Sequence, residues 1–173
     1  MKGGRSGDGA YRSCAEWSTG ALRAMAEVAP DYVLMAQSNA YSVVGKDREA
    51  SFEDVVEGYL RRMEQVQRDV GARIVVVSDT PRTGINPADC LARASATFAG
   101  CSRPLRLRPD PLVEAAKRAG VPVVDPNDLV CPGGTCPPII DDVLVWRDSH
   151  HITATFAAAR APEVSRRIVE AMR

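Results

Sequence analysis

No stretch of this sequence approaches the ~20 apolar residues that a membrane-spanning helix needs, so no such helix is expected. The N-terminus, MKGGRSGDGAYRSC, lacks the apolar core of a signal peptide and reads as a flexible Gly/Ser-rich leader over residues 1–10. No segment repeats, which excludes a repeat architecture. Neither sign of charge is in excess, with Lys+Arg 22 against Asp+Glu 22. That balance argues against nucleic acid or an acidic membrane surface as the main partner. Histidine is scarce: His150 and His151 are the only two, and they are adjacent. Any imidazole chemistry is therefore confined to one place.

What remains is a chain of 173 residues, enough for one domain with a real core. Residues 15–29 read as a helix, with Trp17, Leu22, Met25 and Val28 on its apolar stripe and Pro30 beyond it. Tyr32 to Ala36 and Arg73 to Val77 are short continuous apolar runs of the kind buried parallel strands show. Between them, residues 51–70 form the clearest helix. Ser51 and Asp54 resemble a capping box, Phe52 to Val70 keep helical spacing, and Gly71 ends the helix. Pro87 to Ala94 and Pro111 to Ala119 read as further helices. Val121 to Val124 reads as a third strand, its proline arguing for an edge or a strand start. A Pro/Gly/Cys loop over Pro126 to Pro138 precedes a fourth extended piece, Val143 to Trp146. Helix resumes over Ile152 to Arg160 and again over Pro162 to Met172. The order begins on a helix, whereas a doubly wound sheet opens on a strand.

Five cysteines are present: Cys14, Cys90, Cys101, Cys131 and Cys136. Cys131 and Cys136 bracket the turn PGGT, and Cys90 and Cys101 bracket a short helical stretch. Two disulfides would imply an oxidising compartment, with Cys14 left over. Five reduced thiols are the plainer alternative. A zinc site from Cys131, Cys136, His150 and His151 has the ligand types, but its spacing fits no common zinc motif.

The most informative segment is Trp146-Arg147-Asp148-Ser149-His150-His151-Ile152-Thr153. An Asp three residues before a His can orient the imidazole, which can then take a proton from a hydroxyl nucleophile. The alternative makes Asp148 a helix N-cap and the histidines surface residues. Ser38 and Ser78 follow strands and are conceivable nucleophiles, although turn or cap roles are simpler for both.

WRDSHHIT, followed by ATFAAARA, resembles the terminal D-x-x-H block of the SGNH hydrolase superfamily. It is closer to the SGNH domain fused after the membrane part of bacterial acyltransferase-3 proteins. There the block reads Tyr/Trp-Arg-Asp-x-x-His-Leu-Thr ahead of an Ala-rich helix. Three more segments resemble that group: DPNDLVCPGGTCPPIIDDVLVWRD, CAEWSTGALRAMAEVAPDYVLMAQS and IVVVSDTPR. The resemblance covers roughly residues 11 to 173.

It implies a three-layer α/β/α flavodoxin-like fold with a mainly parallel sheet. It makes His151 the base and Asp148 its partner, and it places Asn39, after the first strand, as an oxyanion-hole donor. It implies ester hydrolysis or O-acylation, such as O-acetylation, of an extracytoplasmic glycan or small hydroxyl acceptor, with an acyl donor and a membrane acyltransferase domain as partners. Neither a cofactor, a metal nor nucleic acid is implied.

Two departures qualify this. The family's Gly-Asp-Ser block, with its nucleophilic Ser after strand one, has no counterpart. Ser6-Gly7-Asp8-Gly9 has those letters in another order and no strand before them. The Gly of the second block is also absent. The resemblance therefore implies a domain spanning residues 11–173 that lacks its first strand and is inactive alone, or else one that positions a glycan for a partner. A family cysteine from that first region commonly pairs with the position of Cys14, which would leave Cys14 free.

Overall fold

A computed structural model describes residues 12–38, 50–93 and 95–173. Helix α1 (Arg12–Val28) leads into strand β1 (Tyr32–Ala36). Helix α2 (Phe52–Gln65) is capped by Ser51, whose side chain accepts from the Asp54 amide, while Asp54 accepts in return from the Ser51 amide. The helix loosens into a π-helical turn, Val66–Val70, and Gly71 closes it in the left-handed conformation at φ 77°. Strand β2 (Arg73–Val77) follows, then the short helices α3 (Pro87–Leu91) and α4 (Phe98–Cys101) and the two-residue strand β3 (Arg103–Pro104). Helix α5 (Pro111–Arg118), with Asp110 as N-cap and Pro111 in its first turn, precedes strand β4 (Val123–Val124). Helix α6 (Asn127–Val130), a 3₁₀ turn (Pro132–Gly134) and strand β5 (Thr135–Cys136) give structure to the stretch expected to be a loop. Strands β6 (Ile139–Ile140) and β7 (Val143–Leu144) precede the long helix α7 (Ala154–Ala171).

Strands β1, β2 and β4 form a parallel sheet in the order β1-β2-β4, with Val33 opposite Ile74 and Val76 opposite Val123. The alternation of strand side chains divides its two faces. On one face Ile74 and Val76 pack with Val56, Met63 and Val66 of the α2 segment and Leu112, Ala115 and Ala116 of α5. Arg118 of α5 ties that helix to Glu53 of α2. On the other side lies α7. Its terminal carbonyl, at Met172, accepts from the Tyr32 hydroxyl and the Arg73 guanidinium, and its Arg167 pairs with Asp128 at 2.6 Å. This is the expected α/β/α layering around a parallel sheet.

A second, smaller core lies beyond the sheet. It joins Val130, Cys131, Cys136, Val145, Trp146 and Phe156. Here the structure corrects two expectations and gives a third element its partner. The extended piece from Val143 is present as β7 and forms an antiparallel hairpin with β6. The Asp141-Asp142 turn of that hairpin has φ 49° and 60°, the pattern of a type I′ turn. Residues 154–171 form one helix rather than two, with Pro162 inside it. Pro162 and Ala158 are both exposed, so water can satisfy the carbonyl that proline leaves without a donor. Finally, only Val123 and Val124 of the expected third strand pair with β2.

Both expected cysteine pairs are disulfide-bonded, Cys90 to Cys101 and Cys131 to Cys136, while Cys14 is free and exposed. The bonded sulfurs are not thiolate ligands, which removes the zinc reading built on them.

Candidate active site

The neck of the loop carrying Asp148 and His151 is held by burial and hydrogen bonds. Trp146 is fully buried, and its indole N–H donates to the Pro137 carbonyl at 3.0 Å. Trp146 and Ile152 form an antiparallel bridge, and the Arg147 amide donates to the His151 carbonyl at 2.8 Å. The Thr153 amide reaches Val145 O at 2.8 Å, and its hydroxyl donates to Leu144 O at 2.6 Å. That hydroxyl also caps α7 by accepting from the Phe156 amide. Thr153 is thus the N-cap of the helix, and Asp148 sits five residues earlier in the loop.

Within the loop Asp148 uses its two oxygens differently. Oδ1 accepts from the backbone amides of His150 at 3.0 Å and His151 at 2.9 Å, an Asx-type turn that folds the loop on itself. Oδ2 lies 2.8 Å from Nδ1 of His151. A carboxylate only accepts, so this bond puts the ring proton on Nδ1 and leaves the Nε2 lone pair available. The His150 amide, then the His151 imidazole and amide, hold the Asp148 carboxyl well below the usual carboxylate range. The ring of His150 stands differently. Its Nδ1 is 3.2 Å from Ser149 Oγ and 3.3 Å from Asp148 Oδ1, and it lies tilted against the His151 ring. Donor atoms of Asp148, His150 and His151 all fall within 4.8 Å of one another, but the Asp148 oxygens are already engaged by N–H groups.

The His151 side chain is half exposed and lines a cavity of about 340 Å³. Ser38, Asp79, Thr80 and Arg82 line it as well. Ser38 follows β1 and Asp79 follows β2, so the cavity opens at the carboxyl ends of parallel strands, where open α/β sheets place their ligands. Ser78 points elsewhere chemically: its hydroxyl donates to Asp125 Oδ1 at 3.1 Å. Ser38 shares the cavity with His151, but no hydrogen bond joins the two. Asn39 lies outside the described residues.

The sequence reading passed over Arg82 and Thr83. Thr83 is buried; its amide donates to the Ser149 carbonyl at 2.9 Å, and its hydroxyl lies 2.6 Å from the Ile85 carbonyl and 3.0 Å from that of Ser149. It fastens the segment after β2 to the Asp148–His151 loop. No spacing pattern in the sequence marks that contact, which joins residues 66 positions apart.

The chain matches the family described as SGNH domain (fused to AT3 domains) over residues 3–166, and it belongs to that family. Among curated proteins, none matches it. A solved structure similar to it is the periplasmic domain of the lipopolysaccharide acetyltransferase of Salmonella ser. Paratyphi A, with a TM-score of 0.65 at 12% sequence identity. The alignment covers 87% of this chain and 61% of that one, so the chain spans about three fifths of that domain's length. At that identity the likeness is one of fold.

Proposed function

We propose that this chain is the base-bearing part of an SGNH acyl-transfer domain that hydrolyses or transfers acyl esters on hydroxyl acceptors outside the cytoplasm. The observation that carries this reading is the 2.8 Å contact between Asp148 and Nδ1 of His151, beside a cavity at the strand ends. Family membership supports it, as do two disulfides that suit an oxidising compartment. In this reading a glycan or small hydroxyl compound is the acceptor and a membrane acyltransferase domain is the working partner. Residues 11–173 form the domain and residues 1–10 its leader.

His151 Nε2 takes the proton of a serine hydroxyl as that oxygen attacks the acyl carbonyl. The resulting oxyanion is held by backbone amides, with Asn39 assisting. As the tetrahedral species collapses, His151 returns the proton to the leaving group and an acyl-serine remains. His151 then deprotonates the acceptor hydroxyl or water, and the acyl group passes on. Throughout, Asp148 fixes the tautomer and stabilises the imidazolium. The sequence holds no Gly-Asp-Ser, so the serine of this scheme belongs to a block outside it.

That absence also favours a second reading, in which the domain binds a glycan and positions it for a partner acyltransferase. One experiment separates the two. The chain by itself should release no acetate from an acetyl ester, and joining a Gly-Asp-Ser strand to its N-terminus should restore hydrolysis. Continued inactivity of the joined protein favours the binding role. Robust hydrolysis by the chain alone, lost in His151→Ala, would overturn the need for an outside serine.

A further inference from the structure

A second cleft, of about 410 Å³, lies beside the His151 cavity, and Arg82 lines both. Arg103, Arg106 and Arg108 complete its charged lining, with no carboxylate among the described residues that line it. The chain as a whole is neutral, so this positive charge is a local concentration. The arginines are also unspent. Several arginines elsewhere, Arg118, Arg160, Arg166 and Arg167 among them, pair with carboxylates. Among the described residues Arg82, Arg106 and Arg108 pair with none, and the buried Nε of Arg82 has no hydrogen-bond partner. Arg103 donates, among the described residues, to the carbonyls of Gly100 and Ser102. Like charges gathered in a cleft repel one another, and a bound anion relieves that repulsion.

The cleft is built on fastened parts. The Cys90–Cys101 disulfide joins the segment that follows Arg82 to the segment that leads into Arg103. Strand β3 pairs Arg103 with Cys136, and the Leu105 amide donates to Gly134 O at 2.8 Å. The Cys131–Cys136 disulfide closes the turn behind that pairing. Thr83 then locks the near wall onto Ser149. A group seated between Arg82 and Arg106 is thus held in fixed relation to His151. Arg108 stands at the border of a neighbouring cavity that contains Asp110, Glu114 and Asp125, which confines an anion to the Arg82–Arg106 side.

We propose that this cleft binds an anionic substituent, a carboxylate or a phosphate, of a glycan acceptor while a hydroxyl of the same glycan is presented to His151. The guanidinium fork suits both groups, donating two parallel N–H bonds to either. Assigning the ligand as the acceptor rests on the acyl-transfer reading above; the binding itself does not need the chemistry.

The test is an isothermal and NMR titration of the full chain with oligogalacturonate, a neutral maltooligosaccharide of equal length, inorganic phosphate and a DNA oligonucleotide. Oligogalacturonate should bind in a salt-dependent manner, equally to the native chain and to His151→Ala, and the neutral glycan should not. Binding should weaken at least about tenfold in Arg106→Glu and in Arg106→Ser, both at an exposed side chain, and not in Arg166→Ala on α7. Phosphate that shifts the same amides more strongly than the uronate favours a phosphate-bearing glycan. Equal binding of neutral and acidic glycans, or unchanged binding in the Arg106 variants, would overturn the proposal. Tighter binding of DNA than of any glycan would overturn the choice of ligand. Acidic-glycan binding without acyl transfer in the joined protein would count against the acyl-transfer reading alone.

Discussion

Asp148 carries two duties that a single substitution separates. One oxygen folds the loop by accepting two amides, and the other holds the His151 ring. Asp148→Asn keeps an acceptor for the amides but can turn an NH₂ group toward Nδ1, which forces the proton onto Nε2 and removes the base. In a protein completed with its serine, we expect kcat to fall on the order of 10⁴-fold with the loop intact. The pH dependence follows from the sign of the carboxyl shift. Its pKa is depressed in the fold, so its contribution is complete above the ordinary value of 3.8 and is lost as pH falls through the lower folded value. Carbon NMR of the Asp148 carboxyl should therefore place its own titration clearly below 3.8, and a midpoint at 3.8 would contradict the shift. This pair was legible in the sequence because its spacing is local: the imidazole follows the carboxylate by three positions. The fastening of Thr83 to Ser149 was not, because it depends on two distant loops meeting.

At the scale of elements, the loop is only as firm as its neck. Trp146 is fully buried in the second core and anchors the start of the loop by its indole N–H. Trp146→Ala should cost about 3–5 kcal/mol of unfolding free energy in denaturant titrations, from the cavity it opens. A loss below 1 kcal/mol, on the order expected for a surface change, would contradict this account of the neck. The elements that could be read in advance were those whose signals agree with one another. Helix α2 had its cap, stripe and terminal glycine, and β1 and β2 had continuous apolar runs. The hairpin of β6 and β7 escaped because Asp141-Asp142 is not the Asn-Gly or Asp-Gly that announces a type I′ turn. Helix α7 was divided at Pro162 because proline normally ends a helix. Here tertiary contacts hold the rest of the helix, through Arg167 to Asp128 and through Met172 to the first residues of β1 and β2.

At the scale of the whole molecule, a three-stranded parallel sheet carries the large core, and a disulfide-laced subdomain carries the imidazole loop and the arginine cleft. The fold class was legible from the alternation of apolar runs and helices, but the second core was not. It is assembled from two-residue strands and single turns too short for any periodic signal, and its cohesion comes partly from cysteines whose pairing the residues alone left open. The oxidation state can be read directly. Non-reduced, denatured protein should yield one titratable thiol per chain, from Cys14, and five would contradict the oxidised fold. The central claim is that Asp148 and His151, rather than His150, form the working pair. The measurement that bears on it most directly is acetyl-ester turnover by the chain joined to a Gly-Asp-Ser strand, compared between His151→Ala and His150→Ala. We predict that His151→Ala abolishes turnover while His150→Ala retains it within about tenfold. Loss in His150→Ala with turnover preserved in His151→Ala would contradict the claim.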